Sequence, residues 1–353
     1  TDYYVITSGI GYNYVKEALG DRATILKLSL TYPLPENLIR NFIAEHPTVY
    51  VIEEGEPFLE EQIKNIGCQV IGKELFPAFG ELSSELIRTK LLKEPASPVA
   101  FTAPQDIPAR PPVLCPSCPH RSVFFALTKI GAIITTDIGC YTIGVFPPVN
   151  AGETCLCMGA SIGNAMGIAK MRPEAKVVAT IGDSTFLHSG ITGLMDVVYN
   201  RGIITVVILD NRTTAMTGHQ QNPSTGYTIN NEPTTSISLE SMVRACGVNK
   251  LWTVDAYNLA ELQQVLEEAT SCGEPAVVIT RKPCALLKNK KQVKKLFTIN
   301  YESCRTCKAC LQLGCPSIEL KSDRVEINPT SCNGCGVCAQ LCKFGAISEV
   351  NGR

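Results

Sequence analysis

The densest chemistry in this 353-residue chain lies near its end, where eight of its 17 cysteines fall between Cys304 and Cys342. They form two runs. The first is Cys304-Arg-Thr-Cys307-Lys-Ala-Cys310, followed by Cys315-Pro316. The second is Cys332-Asn-Gly-Cys335-Gly-Val-Cys338, followed by Cys342. Three thiolates at that spacing wrap one face of an iron–sulfur cubane, and a fourth from further along completes it. Zinc sites usually pair two CxxC knuckles with four ligands in all, which two triplets fit poorly. In two-cluster chains of this pattern the fourth cysteine of each run serves the other cluster. That pairing puts Cys304, Cys307, Cys310 and Cys342 on one [4Fe-4S] cluster, and Cys332, Cys335, Cys338 and Cys315 on the other. The first run has four residues rather than three before Cys315, and no proline follows Cys342. Neither departure removes a ligand.

A second constellation lies upstream. Val177-Val-Ala-Thr-Ile181 reads as a buried strand, followed at once by Gly182-Asp183-Ser184. Gly190–Tyr199 reads as a helix, and Ile203–Leu209 as a strand that ends at Asp210-Asn211. In such a strand–helix–strand unit Asp183 and Asn211 emerge at the carboxyl ends of parallel strands, where open α/β sheets bind ligands. The donor set suits Mg²⁺ on a diphosphate: the Asp183 carboxylate, the Asn211 amide oxygen and the Thr213 backbone carbonyl are hard oxygen ligands. Gly182 lets the backbone approach the phosphates closely. Upstream, Met158-Gly159 opens a small-residue stretch to Ala169, with glycines at 159, 163 and 167 on one helical face.

Composition bounds the setting. Lys plus Arg is 32 and Asp plus Glu is 33, so neither a nucleic acid nor a membrane surface is expected as main partner. No apolar run reaches the roughly 18 residues of a membrane span, and no secretory signal opens the chain. Clustered rather than dispersed cysteines predict bound metal in a reducing cytoplasm at low oxygen. The chain opens on Thr1, so it is expected to be a processed form or a piece of a longer polypeptide.

The elements that must carry these residues divide into three segments. In 1–94, strands at Tyr3–Thr7, Ala23–Leu28 and Thr48–Ile52 alternate with helices at Tyr12–Leu19, Glu36–Glu45 and Phe58–Ile66, which predicts a parallel sheet covered by helices. A proline-rich linker is expected over 95–112. Residues 113–287 hold the Asp183/Asn211 unit. The basic run Lys288–Lys295, within a connection over 288–296, reads as a solvated link, with docking of an acidic redox partner as the other reading. The tail, 297–353, is too short for a large core, so bound metal is expected to supply much of its stability.

The Gly-Asp…Asp-Asn arrangement resembles the signature of thiamine diphosphate (TPP) enzymes. TPP together with ferredoxin-type clusters points to 2-oxoacid:ferredoxin oxidoreductases. The wording of Cys115-Pro-Ser-Cys118-Pro-His-Arg121, Asp137-Ile-Gly-Cys140-Tyr141, Thr154–Gly159, Gly182–Phe186 and Thr213–Gln220 is similar to the alpha-subunit family of indolepyruvate ferredoxin oxidoreductases. The resemblance covers the whole chain. It implies a transketolase C-terminal-like α/β domain over 1–94, a parallel-sheet TPP domain over 113–287 and a small two-cluster ferredoxin domain over 297–353. That family's alpha subunit begins with a further domain that binds the aminopyrimidine ring and carries the activating glutamate. No such domain is found here, so the chain resembles the C-terminal part of the subunit.

In related pyruvate-type enzymes a cluster beside TPP uses a CxxC pair, a cysteine some two dozen residues on, and one after the final strand. Cys115, Cys118, Cys140 and Cys284 sit at matching places, which implies a third, proximal cluster. The other reading is of buried or cofactor-lining cysteines, and Pro119-His120 stands where those enzymes have Gly-Glu. Cys68, Cys155, Cys157, Cys246 and Cys272 read as core or site-lining. His120, His188 and His219 are candidates to face the cofactor, donating to phosphate or carboxylate or moving protons. Arg121 is read either as a phosphate or carboxylate partner or as a surface ion pair.

The family implies oxidative decarboxylation of an arylpyruvate (indolepyruvate or phenylpyruvate), with CoA taking the acyl group and ferredoxin the electrons. It also implies a smaller beta subunit in a hetero-oligomer. Three alternatives stand beside this: an oxidoreductase for pyruvate or branched-chain 2-oxoacids, an electron-transfer module with a vestigial TPP site, and a non-oxidative TPP decarboxylase. The last needs no electron wire, so the eight terminal cysteines weigh against it.

Overall fold

A computed structural model of the chain describes residues 1–96, 106–287 and 296–350. The basic run Lys288–Lys295 and much of the proline-rich segment lie outside the described residues. The chain divides into two compact units, Thr1–Ile107 and Pro108–Arg353.

The first unit carries β1 (Tyr3–Ser8), α1 (Gly11–Leu19), β2 (Ala23–Leu28), α2 (Glu36–Ala44), β3 (Val49–Ile52), α3 (Phe58–Asn65) and α4 (Ser84–Ile87). The three strands pair in parallel in the order β2-β1-β3. Alternate residues of β1 feed opposite faces, Val5 packing with Val15 and Ile6 with Ile39, as the two-residue period of a strand requires. The buried Glu53 carboxylate accepts the first-turn N–H groups of Leu59 (2.8 Å) and Glu60 (3.0 Å), so it caps α3 from outside the helix.

The second unit is built on α5 (His120–Ile130), β4 (Ile133–Thr136), β5 (Thr154–Cys155), α6 (Ala160–Met171), β6 (Val177–Gly182), the three-residue α7 (Asp183–Thr185), α8 (Ile191–Tyr199), β7 (Thr205–Asp210), α9 (Leu239–Ala245), β8 (Lys250–Asp255), α10 (Leu259–Ala269) and β9 (Ala276–Arg281). Six strands pair in parallel in the order β5-β4-β6-β7-β9-β8. Every residue of β6 and β7 is buried. Such continuous apolar strands arise where both faces are covered by helices. Val177, Ala179, Ile181, Val206 and Ile208 face one core, with α6, α8 and α9. Val178, Val207 and Leu209 face the other, with α5 and α10.

The tail adds β10 (Leu296–Ile299), β11 (Ile318–Lys321), β12 (Arg324–Ile327), α11 (Val337–Leu341) and β13 (Ile347–Val350). Two antiparallel pairs form, β10 with β13 and β11 with β12. The tail does not stand on metal alone. Ile299, Leu313, Ile318, Val325, Val337 and Ile347 merge with the α5 and α10 side chains into one apolar core. Polar ties reinforce the contact. Gln340 accepts the N–H of Leu259 (2.9 Å) and donates to the Tyr257 carbonyl (2.7 Å), and Asn333 donates to the Pro116 carbonyl. The short tail therefore borrows a core from the larger sheet domain. Among the described residues no helix is long and apolar enough to cross a membrane.

Candidate functional site

Four adjacent strands, β4, β6, β7 and β9, deliver chemistry from their carboxyl ends. Asp137, Cys140 and Tyr141 follow β4; Asp183 follows β6; Asn211 and Thr213 follow β7; Cys284 follows β9. A parallel sheet puts all these ends on one edge, which is why residues almost 150 positions apart meet there.

The first pocket opens on this edge, where ligands of open α/β sheets bind. Met158, Gly182, Asp183, Ser184, Asn211 and Thr213 line it, with His120, Cys140 and Tyr141. Asp183 is only 2% exposed. Burial first, then the neighbouring Asp210 charge, push its carboxyl up to about 7, although the Ser184 N–H and Asn222 oppose the shift. Asn222 Nδ2 donates to Asp183 Oδ2 (3.2 Å), and its own Oδ1 accepts from the N–H (2.9 Å) and hydroxyl (2.7 Å) of Ser224. Asp210 is held by Arg281 (2.6 Å) and Arg212 (3.4 Å). Asp183 has no such basic partner among the described ion pairs. A buried carboxylate beside an amide oxygen, with open space before them, fits a hard divalent cation.

Gly182 has an ordinary backbone conformation (φ −76°, ψ 157°). Its missing side chain admits the Tyr141 ring, which an added Cβ would meet at 3.0 Å. The close approach expected at Gly182 is thus made, within this chain, by Tyr141. Gly159 lies just outside α6 with φ +93°, and an added Cβ would meet Ser189 Cβ at 2.7 Å. Gly163 and Gly167 meet nothing within 4 Å among the described residues, so that part of the glycine face is open.

Two functional residues escape sequence reasoning. Asp137 is fully buried. It accepts the N–H of Ile138 on Oδ1 (2.8 Å), and on Oδ2 the N–H of Gly159 (2.7 Å) and the hydroxyl of Ser161 (3.1 Å). It thereby fixes the turn that carries Met158 into the pocket. Tyr141 forms pocket wall and packs edge-on to His120. Their motif was visible in the sequence, but nothing in it distinguishes the clamp from its neighbours.

A second cavity adjoins the first. Cys115, Cys118, Cys140 and Cys284 all line it, and it shares His120, Cys140, Asn211 and Ala215 with the first pocket. Cys284 donates its N–H to the Asn211 carbonyl (2.9 Å), which links this cavity to the Asp183 pocket through one peptide. A third cavity has Cys118 in its wall together with Cys315, Cys332, Cys335 and Cys338. A fourth is lined by Cys304, Cys307, Cys310 and Cys342. The eight tail cysteines thus fall into the two sets expected from their order, with Cys315 and Cys342 exchanged between runs. Burial pushes the thiols of Cys118 and Cys338 up to about 12. Thiols of that kind need a metal's charge to become thiolates. No three His, Cys, Asp or Glu side chains among the described residues are grouped to hold a single metal ion; the cysteine sets surround open space instead.

The histidines separate. His120 is buried and lines both of the first two cavities; burial holds its pKa down at about 4, so it is a neutral imidazole. His219 lines the second cavity rather than the first, with Nε2 3.8 Å from Cys284 Sγ. His188 lines neither, being exposed and paired with the Ser189 hydroxyl (2.6 Å). Arg121 corrects both expectations held for it. It is 5% exposed and bonds backbone carbonyls, not a carboxylate at the surface. Cys155 and Cys157 are exposed rather than core; Cys68, Cys246 and Cys272 are half-buried at core edges.

Comparison with known proteins agrees with this geometry. Residues 137–280 match the family of thiamine pyrophosphate enzyme C-terminal TPP-binding domains, and residues 325–348 a 4Fe-4S binding domain. The chain is 37% identical, over 98% of its length, to the indolepyruvate oxidoreductase subunit IorA of Pyrococcus horikoshii, covering 60% of that protein. It is also 37% identical to the subunit IorA of Archaeoglobus fulgidus, over 98% of this chain and 59% of that one. Over nearly its whole length the chain is thus similar to IorA subunits. It spans about three fifths of the length of these IorA relatives. A solved 2-oxoglutarate:ferredoxin oxidoreductase from Magnetococcus marinus superposes on 49% of this chain and 64% of its own at a TM-score of 0.45 and 19% identity, too loosely to carry an argument.

Proposed function

We propose that this chain is the cofactor-bearing part of a TPP-dependent 2-oxoacid:ferredoxin oxidoreductase. Its reaction is the oxidative decarboxylation of arylpyruvates such as indolepyruvate, giving CO₂ and an aryl-acyl-CoA, with two electrons passing singly to ferredoxin. The observation that carries the reading is the unbroken line of cavities: the Asp183 pocket shares walls with the Cys115/Cys118/Cys140/Cys284 cavity, and that cavity shares Cys118 with the tail. A non-oxidative enzyme has no use for such a line.

In this reading Asp183, Asn211 and Thr213 hold Mg²⁺ and through it the diphosphate. Three four-cysteine sets hold three [4Fe-4S] clusters: Cys115, Cys118, Cys140 and Cys284; Cys315, Cys332, Cys335 and Cys338; Cys304, Cys307, Cys310 and Cys342. Bound TPP supplies the electron sink for decarboxylation, and bound clusters supply one-electron acceptors. The residues of the chain do the rest. Asp137 fixes the Gly159 turn over the pocket. His120 forms part of the wall shared by the pocket and the thiol cavity. The beta subunit, and the remaining two fifths of the relatives' length, complete the substrate site and the hetero-oligomer.

The test is anaerobic iron and acid-labile sulfide per chain, with spectra before and after dithionite. About twelve of each are expected, four for each cluster of the proposed set. About eight would leave only the tail loaded and remove the proximal cluster. Ferredoxin reduction rates on arylpyruvates against pyruvate and branched-chain 2-oxoacids then fix the substrate class. Aldehyde formation without ferredoxin reduction would overturn the oxidative assignment.

A further inference from the structure

The line of cavities contains one buried cation that the reaction does not otherwise use. Arg121 follows the Cys115–Cys118 turn at the start of α5 and lies in the wall of the cavity lined by Cys315, Cys332, Cys335 and Cys338. Its guanidinium ties two cysteine turns together. Nη2 donates to the carbonyls of Leu114 and Cys115 (3.2 Å to the latter). Nη1 donates to the carbonyls of Leu313 (2.9 Å) and Gly314, immediately before Cys315. No carboxylate pairs with it among the described ion pairs, and Nε is buried without a hydrogen-bond partner. Gly314 makes room for the contact: at φ +63°, an added Cβ would lie 2.8 Å from Pro148 and 3.3 Å from Arg121 Nη1.

A guanidinium bonded only to neutral carbonyls keeps its whole charge, and burial leaves that charge little screened. The groups around it are thiols: Cys315, Cys118, Cys335 and Cys115 all interact with it electrostatically. Structural bracing alone would be served by neutral donors. Placing an unpaired cation between two sets of cluster-type cysteines favours whichever state carries more negative charge, and for a one-electron centre that is the reduced state.

We propose that Arg121 is a positioning and redox-tuning residue, which raises the reduction potential of the two centres flanking it and holds their cysteine turns at a fixed separation. The proposal rests on the cluster assignment made above. Its step is simple: an electron from the reductant enters a centre, no bond breaks, and the guanidinium stabilises the added charge without taking up a proton. None of Cys304, Cys307, Cys310 and Cys342 is among the thiols that interact most with Arg121, so the centre they line is the internal control.

The experiment is an EPR-monitored redox titration of the complete, anaerobically purified enzyme, as wild type, Arg121→Lys, Arg121→Gln and Arg121→Met. In the neutral variants at least one flanking centre should become about tenfold harder to reduce, which is a fall of about 59 mV for one electron. The control centre should stay within twofold. Arg121→Lys keeps the charge and should stay nearer the wild type than Gln or Met. Fully loaded neutral variants with unchanged potentials would overturn the proposal, as would equal shifts at all centres. Neutral variants that never load their clusters would also overturn it, because the residue would then be a brace only. Failure of the cluster assignment itself reads out differently, as a wild type without the corresponding signals.

Discussion

Asp137→Asn isolates the clamp over the TPP pocket with a change of one atom. The carboxylate serves donors on both sides: Ile138 on Oδ1, and Gly159 and Ser161 on Oδ2. An amide has one acceptor oxygen. If that oxygen turns to Gly159 and Ser161, its NH₂ group meets the Ile138 N–H; the other orientation leaves Gly159 and Ser161 facing a donor. The first is cheaper. It forfeits one charge-assisted hydrogen bond, worth about 1.5–3 kcal/mol, and leaves a buried N–H unsatisfied. Neutralising a carboxylate at a fully buried position returns part of that. A net loss of about 2 kcal/mol remains. For a unit of this size it lowers the melting temperature by about 4–8 °C. The looser Gly159 turn must then be re-ordered when TPP binds. If the free turn instead relaxes so that the loss falls on the bound state, melting of the free protein is spared and affinity weakens by up to roughly thirtyfold, since about 1.4 kcal/mol is tenfold. The assays are calorimetric melting and TPP titration at saturating Mg²⁺ on the complete protein. Ser161→Ala is the companion variant: it removes the 3.1 Å hydroxyl bond alone, leaves no buried donor behind, and should cost about 1.5 kcal/mol, the low end for a bond to a charged group. Wild-type melting and wild-type TPP affinity in Asp137→Asn would refute the clamp.

Two further outcomes follow from the same geometry. Asn222→Ala removes the side-chain donor to Asp183 and the brace of Ser224; the Mg²⁺ concentration that half-saturates TPP binding should rise about tenfold, roughly the value of one charged hydrogen bond, and an unchanged Mg²⁺ titration would count against Asp183 as ligand. Gly314→Ala forces a side chain onto Pro148 at a left-handed position, which costs at least about 1–2 kcal/mol; amide exchange across 309–318 should speed up while β6 and β7 stay protected, and uniform protection would show that the tail docks without this contact.

What could be read from residues was of two kinds. The strands and helices of the first unit sit within a residue or two of their expected bounds, because alternation and helical period are local patterns. The cysteine sets were legible because ligand spacing is carried by a few bonds of chain. Asp183 and Asn211 were legible because a strand's end is announced by the Gly-Asp and Asp-Asn that terminate an apolar run. The wall that the Asp183 pocket shares with the cavity of Cys118, through His120, Cys140, Asn211 and Ala215, was not, nor was the choice of His120 over His188 as pocket residue, since that depends on which way each turn faces after the sheet has formed.

By itself, then, the sequence determined the kinds of chemistry present: thiol sets suited to clusters, an oxygen set suited to a divalent cation, and strands able to hold both. Only the tertiary structure decided their order in space. Arg121 reaches Leu313 and Gly314 from almost two hundred residues away, and the tail's Ile318, Val325 and Val337 find their core against α5 and α10. Those contacts are fixed by burial, which sums over the whole fold and favours whichever surfaces lose the most water together. No short stretch of residues encodes that sum.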